Sequence, residues 1–112
     1  MSVRLGRIKQ GTQYTVRIDA DDANDGMTFV FIGWQPAPGA EPHSYPMRVE
    51  KGQAGHHALV CPPCTLYYLI ELRVDVPEPG KATLTVSGLQ GNVPTKQVNV
   101  TQDETYWMEI VP

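Results

Sequence analysis

Apolar and polar residues alternate with a period of two along much of the chain. Near its beginning, Tyr14, Val16 and Ile18 share one face while Arg17 takes the other. This alternation is typical of a β-strand with one face in a core and the other in water. No window of helical length carries apolar residues at positions i, i+3, i+4 and i+7. The pattern therefore predicts an all-β chain.

About nine short strands are predicted from these patterns. Apolar residues run almost without a break from Met27 to Trp34, as in a central strand that is covered on both faces. Gly6 interrupts the first strand and predicts a β-bulge. The predicted strands are 3–9, 13–19, 27–34, 47–50, 57–61, 68–76, 81–86, 96–101 and 105–111.

Ten glycines and ten prolines separate the strands, with turn signals every 8–12 residues. We expect a single domain over 1–112, a sandwich of two antiparallel sheets in either a jelly-roll or an immunoglobulin-like topology. The turn residues in 77–80 predict a hairpin between the strands 68–76 and 81–86. With 41% hydrophobic and 19% charged residues, the chain suits a packed core.

Two segments do not follow a strand pattern. The Pro-rich segment 35–46 has two interpretations, an extended arm that docks on a neighbour or an ordinary crossover between the sheets. The acidic segment 19–26 offers oxygen ligands for calcium. Its spacing departs from that of a calcium loop, with Ala23 where a ligand should stand, and this favours a solvated loop.

A short segment contains two histidines and two cysteines, which at first sight suggest a zinc site. They are His56, His57, Cys61 and Cys64. If 57–61 is a strand, His57 and Cys61 lie about 13 Å apart, too far to share one ion. An extended Pro62-Pro63 pair separates the Cα atoms of the cysteines by roughly 9 Å, beyond the roughly 7 Å limit of a disulfide unless a proline is cis. We therefore expect reduced thiols, no metal and no cofactor.

Catalytic motifs are missing from the sequence. It has no nucleophile elbow, no phosphate-binding glycine loop and no zinc-protease pattern. His43, His56 and His57 are expected to be surface or turn residues, because no nucleophile stands in a recognisable pattern with them. The sequence predicts a protein that is not an enzyme.

The charge of the chain limits its partners. Its net charge is −3 and its nine basic residues are scattered, which argues against nucleic acid binding. The first residues contain no apolar run of the length that a signal peptide or membrane helix needs. With Met1 present, we expect a cytoplasmic protein without a membrane segment.

Aromatic residues provide the remaining clue. Tyr106 and Met108 mark a core face, which turns Trp107 outward, and an outward Trp is often a contact residue. The alternative is that Trp107 lies beneath a covering loop. The candidate partner-binding residues are Trp34, Pro36, Pro38, Tyr45, Tyr67 and Trp107.

Two functional hypotheses follow. The first is a structural protein, a decoration or cement protein of a viral (phage) capsid, present as a homo-oligomer or in many copies, first in host cytoplasm and then in the virion. It rests on small size, on the missing catalytic motifs and on the possible arm. The second is a carbohydrate-binding module in which Trp34, Tyr67 or Trp107 stacks on sugar rings.

Overall fold

The computed structural model describes residues 2–21, 26–34, 43–60, 68–77, 80–101 and 104–111. Within these ranges, only the backbone is described for seven residues, which are Ser2, Phe31, Trp34, His43, Val60, Tyr68 and Leu69. The described residues form nine strands, so the all-β prediction is confirmed. The strands are β1 (Ser2–Lys9), β2 (Gln13–Ala20), β3 (Met27–Trp34), β4 (His43–Glu50), β5 (Ala54–Val60), β6 (Tyr68–Asp75), β7 (Ala82–Ser87), β8 (Thr95–Val100) and β9 (Glu104–Val111).

The strands form two sheets that pack as a sandwich. One sheet has five strands in the order β1-β9-β6-β3-β4, and the other has four in the order β5-β2-β7-β8. All described strand pairs are antiparallel except β1 with β9, so the predicted antiparallel sandwich is confirmed with one parallel pair at its edge. Parallel neighbours need a long crossover connection, and here the whole chain between them provides it.

The strand order resembles that of an immunoglobulin-like sandwich more than that of a jelly roll. Immunoglobulin strands are lettered from A to G. The order β9, β6, β3, β4 in the five-stranded sheet corresponds to the order G, F, C, C′ in that fold. In the other sheet, β2 pairs with β5 as strand B pairs with strand E. The hairpin formed by β7 and β8 lies beside β2, where strand A lies in that fold. It is inserted between the strands that correspond to F and G.

Side chains from both sheets meet in one apolar cluster within the described ranges. Val30 and Leu72 of the five-stranded sheet and Val16 and Leu84 of the four-stranded sheet have no exposed surface. Each fully buried aliphatic side chain contributes about 1.5–3 kcal/mol to folding. The alternation along each strand therefore places one face in this core and leaves the other outside.

β3 lies inside the five-stranded sheet, as its apolar run predicts, but the prediction that both of its faces are covered is wrong. Val30 and Ile32 are fully buried on the core side, whereas Met27 is 41% exposed and Phe29 is half-buried on the outer side. Part of the apolar run therefore belongs to an outer surface.

The predicted hairpin between β6 and β7 is also wrong. β6 pairs with β3 and β9, and β7 pairs with β2 and β8, so the two strands lie in different sheets. Both strands carry an alternating apolar face, and the two faces bury each other across the core. The connection around 76–81 is long enough to cross the roughly 10 Å between packed sheets.

β4 begins at His43, four residues before the predicted strand start at Met47, so part of the Pro-rich segment is strand. Pro46 is tolerated because β4 is the last strand of its sheet and a missing N–H there breaks no ladder. The prediction of a crossover between the sheets is wrong, because the segment joins β3 to β4, which pair in one sheet as far as Trp34 and His43. Residues 35–42 lie outside the described residues, and the docking arm stays a prediction. No helix in the described residues is long and apolar enough to span a lipid bilayer.

Candidate partner-binding surface

A bulge in β1 shapes the outer side of the five-stranded sheet. The register against β9 shifts between Arg4 and Gly6, as the position of Gly6 predicts. After the shift, Leu5 and Ile8 are both buried although they are three positions apart. Arg4 and Arg7, also three positions apart, are therefore both exposed on the outer side.

The loop between β7 and β8 holds this bulge in place. A Cβ atom at Gly6 would lie 3.3 Å from Cδ1 of Leu89, so the missing side chain makes room for the leucine. The backbone N–H of Gln90 donates a hydrogen bond to the carbonyl oxygen of Arg7 at 2.8 Å. β1 is thereby tied to the four-stranded sheet as well as to β9.

Glu109 is a buried carboxylate on the outer side of this sheet. It is 8% exposed, and each of its oxygens contacts one arginine. Arg4 Nη1 lies 2.6 Å from Glu109 Oε1, and Arg7 Nε donates to Oε2 at 3.2 Å. The two arginine side chains remain 68% and 60% exposed, so Glu109 fixes one end of each guanidinium while the rest faces solvent.

Trp107 lies in the same region and is half-buried. Its cross-strand neighbours are Arg4 on β1 and Glu71 on β6. We call this group the Trp107 surface, defined by Arg4, Arg7, Glu71, Trp107 and Glu109.

The opposite side of β9 belongs to the core. Tyr106, Met108 and Ile110 are buried there. Burial raises the pKa of the Tyr106 phenol, and the nearby carboxylate of Glu104 raises it further. The phenol therefore stays neutral around physiological pH, and the core face of β9 is packed beneath Trp107.

The chemistry of the Trp107 surface suits contact with another macromolecule. Trp and Arg are among the residue types enriched in the few positions that carry most of the binding energy of protein interfaces. The indole ring offers a large apolar area with few rotatable bonds.

The other residues predicted as partner-binding lie elsewhere or are not described. Tyr45 is 39% exposed on β4, with its ring centroid 5.7 Å from that of His57 on β5. Three strand spacings separate β4 from β9, roughly 14 Å, so Tyr45 and Trp107 do not form one compact site. Trp34 is the last residue of β3, and its backbone pairs with His43 and Ile70. Pro36, Pro38 and Tyr67 lie outside the described residues.

Of the candidate catalytic and metal-binding residues, the structure describes the side chains of His56 and His57 and, in the acidic segment, those of Asp19 and Asp21. The two histidines are exposed on β5, where they are consecutive and so take opposite faces of the strand. The two carboxylates pair with Arg17 and Lys81. Cys61, Cys64 and the acidic residues 22–25 lie outside the described ranges. Within those ranges, no group of three or more His, Cys, Asp or Glu residues is placed to hold a metal ion.

Comparisons of the chain with protein-family models, with curated proteins and with solved structures find no match.

Proposed function

We propose that this chain is a non-catalytic structural protein that docks on a larger protein assembly through the Trp107 surface. In its most specific form, the proposal is a decoration or cement protein that binds a viral shell in many copies. The observation that carries it is the pair of exposed arginines held by one buried carboxylate beside a half-buried tryptophan.

The arrangement of Glu109 supports binding better than it supports folding. A carboxylate taken out of water and paired with cations adds little net stability, because its desolvation offsets the attraction. Its clear effect is to hold Arg4 and Arg7 in place. A side chain that is fixed before binding loses less conformational entropy when a partner arrives, so these arginines are prepared for contact.

The size of this face supports a repetitive partner. Five strands at the usual spacing and eight residues of extended chain give a face of about 19 by 27 Å, on the order of 500 Å². A face of this size provides one modest contact, and its affinity depends on the quality of the contacts as well as on area. Attachment in many copies to a symmetric assembly adds strength through avidity.

The proposal is tested with a variant of the central residue. Trp107→Ala removes the aromatic contact, and we expect its affinity for undecorated shells to fall at least about 30-fold, the effect of losing a hot spot of about 2 kcal/mol. Binding to assembled, undecorated viral shells is measured by co-sedimentation. Wild-type protein is also expected to raise the temperature at which the shells disrupt.

The matched control is Val93→Ala, an apolar truncation at a position that is 73% exposed in the β7–β8 loop. It should bind as the wild type does. Circular dichroism of Trp107→Ala must retain the β-sheet spectrum, since the ring is half-buried. A wild-type protein that never co-sediments with the shells, or a folded Trp107→Ala variant that binds normally, would refute the proposal.

A further inference from the structure

The outer side of the four-stranded sheet carries a polar cleft at the end of β2, β7 and β8. Asp19, Thr83 and Asn99 face each other across the three strands in one row. A second row follows where the strands end, and there the Asp21 N–H donates to the carbonyl oxygen of Lys81 at 3.0 Å. The cleft measures about 460 Å³, within the range of small-ligand sites. It is lined by Asp19, Ala20, Asp21, Lys81, Ala82, Thr83, Asn99 and Thr101.

The row between the two polar rows faces the core. Ala20 pairs with Ala82, and both side chains are buried with the core residues of β2 and β7, so the backbone of this row forms the floor of the cleft. Polar side chains line both sides of that floor.

The charges around the cleft compensate each other. Arg17 donates hydrogen bonds to both carboxylate oxygens of Asp19 at 2.9–3.1 Å, and these bonds together with the opposite charge raise the pKa of Arg17. Lys81 Nζ lies 3.6 Å from Asp21 Oδ2. Among the described residues around the cleft, the two carboxylates are balanced by two cations, an arrangement that suits a neutral ligand.

The remaining polar groups offer both donors and acceptors. Thr83 Oγ1 lies 3.5 Å from Asn99 Oδ1, and the exposed Asn99 amide can also donate through its nitrogen. The carboxylate of Asp21 and the hydroxyl of Thr101 line the other row. Such a set matches a ligand rich in hydroxyl groups, because each hydroxyl both donates and accepts.

Two further hydrogen-bonded rows continue the polar surface along β7 and β8. Gln97 Nε2 donates to Thr85 Oγ1 at 3.3 Å, and Thr95 Oγ1 donates to Ser87 Oγ at 3.3 Å. Rows on one face repeat about every 6.8 Å, so the surface extends roughly 14 Å from the Thr83 row. A chain of several linked units can lie along it.

We propose that this cleft binds one unit of a neutral oligosaccharide, with the adjoining units lying along the Thr85 and Ser87 rows. The site lies on the opposite sheet from the Trp107 surface, so the proposal does not depend on the proposed function. It also differs from an aromatic stacking site, since none of the eight described lining residues is aromatic. Recognition depends on hydrogen bonds to the polar rows on either side of the cleft.

The test is a titration of the ¹⁵N-labelled protein followed by NMR. The probes are maltotetraose, cellotetraose, chitotetraose and mannotetraose, all neutral, with spermidine and inorganic phosphate as charged comparisons. We expect at least one oligosaccharide to shift the backbone amides of residues 19–21, 81–83 and 97–101 while the Trp107 indole signal stays in place. Because the ligand is neutral, the dissociation constant should not change between about 0.05 and about 0.5 M NaCl.

Asn99→Ala should weaken this binding about fivefold to tenfold. Its matched control is Asn92→Ala, which removes the same amide from an exposed position in the β7–β8 loop and should leave the dissociation constant unchanged. The proposal fails if none of the four oligosaccharides shifts the cleft amides, if the shifts centre on Trp107, or if only spermidine or phosphate binds there. Equal effects of the two Asn variants would also overturn it.

Discussion

Gly88 and Gly91 lie in the same loop and both have positive φ angles, 98° and 111°, but their surroundings differ. A Cβ atom at Gly88 would lie 2.7 Å from the carbonyl oxygen of Gln13 and 3.0 Å from Cα of Tyr14. At Gly91 nothing lies within 4 Å of that position. The two glycines therefore separate the effect of backbone conformation from the effect of close packing.

We predict that Gly88→Ala lowers the free energy of unfolding by about 3–4 kcal/mol, since it adds a clash with backbone atoms to the strain of a positive φ. Gly91→Ala should lower it by about 1–2 kcal/mol, from strain alone. Urea denaturation of both variants measures the difference. If both variants lose the same free energy of unfolding, the close approach of Gly88 to β2 does not contribute to the stability of the protein.

At the scale of single residues, the sequence predicts the Trp107 surface only in part. Alternation with Tyr106 and Met108 correctly turns Trp107 outward. The same rule places residues 4 and 7 on opposite faces, because they are three positions apart. The structure brings both arginines to Glu109 because the bulge at Gly6 shifts the register by one residue. The glycine signals a bulge, but pairing with β9 is needed to know what the bulge brings together.

Among the elements, the β7–β8 loop has a role beyond joining two strands. Leu89 is buried against Gly6 of β1, and the neighbouring Gln90 amide bonds to Arg7. The loop thus connects the two sheets at the side of the sandwich where β1 ends the five-stranded sheet.

Leu89→Ala is predicted to lower the free energy of unfolding by about 2–3 kcal/mol, because it leaves a cavity under β1. It should also speed hydrogen exchange at the Gln90 amide, whose bond to Arg7 depends on this contact. The control Val93→Ala changes an exposed residue of the same loop and should stay within about 0.5 kcal/mol of the wild type. Unchanged exchange at Gln90 would contradict the role of Leu89.

Strand positions follow from the sequence because burial on one face imposes a period of two on the residues. The pairing of the strands is harder to predict from the sequence. The turn residues at 77–80 suit a hairpin and a crossover between sheets equally, and the structure has the crossover. The parallel pairing of β1 with β9 joins residues about a hundred positions apart, which no local pattern encodes. Pro46 also misleads. Proline is tolerated in a strand at the edge of a sheet, but the sequence does not show that β4 lies at an edge, so Pro46 suggested a loop.

In the whole molecule, the sandwich separates two surfaces of different chemistry. The five-stranded sheet presents Trp107 with arginines and carboxylates around it, and the four-stranded sheet presents rows of Thr, Ser, Gln and Asn. The core between them keeps the two surfaces on opposite sides. One protein can therefore attach to an assembly by one sheet and leave the other sheet open to a ligand.

Hydroxyl-radical footprinting tests the docking role of the Trp107 surface most directly. It compares the oxidation of side chains in the native assembly with their oxidation in the free protein. Trp107 is partly exposed in the free chain, and Val93 is the exposed comparison on the β7–β8 loop. We predict that oxidation of Trp107 falls several-fold in the assembly while oxidation of Val93 stays unchanged. If Trp107 is oxidised equally in the assembly and in the free protein, the chain does not dock through this surface.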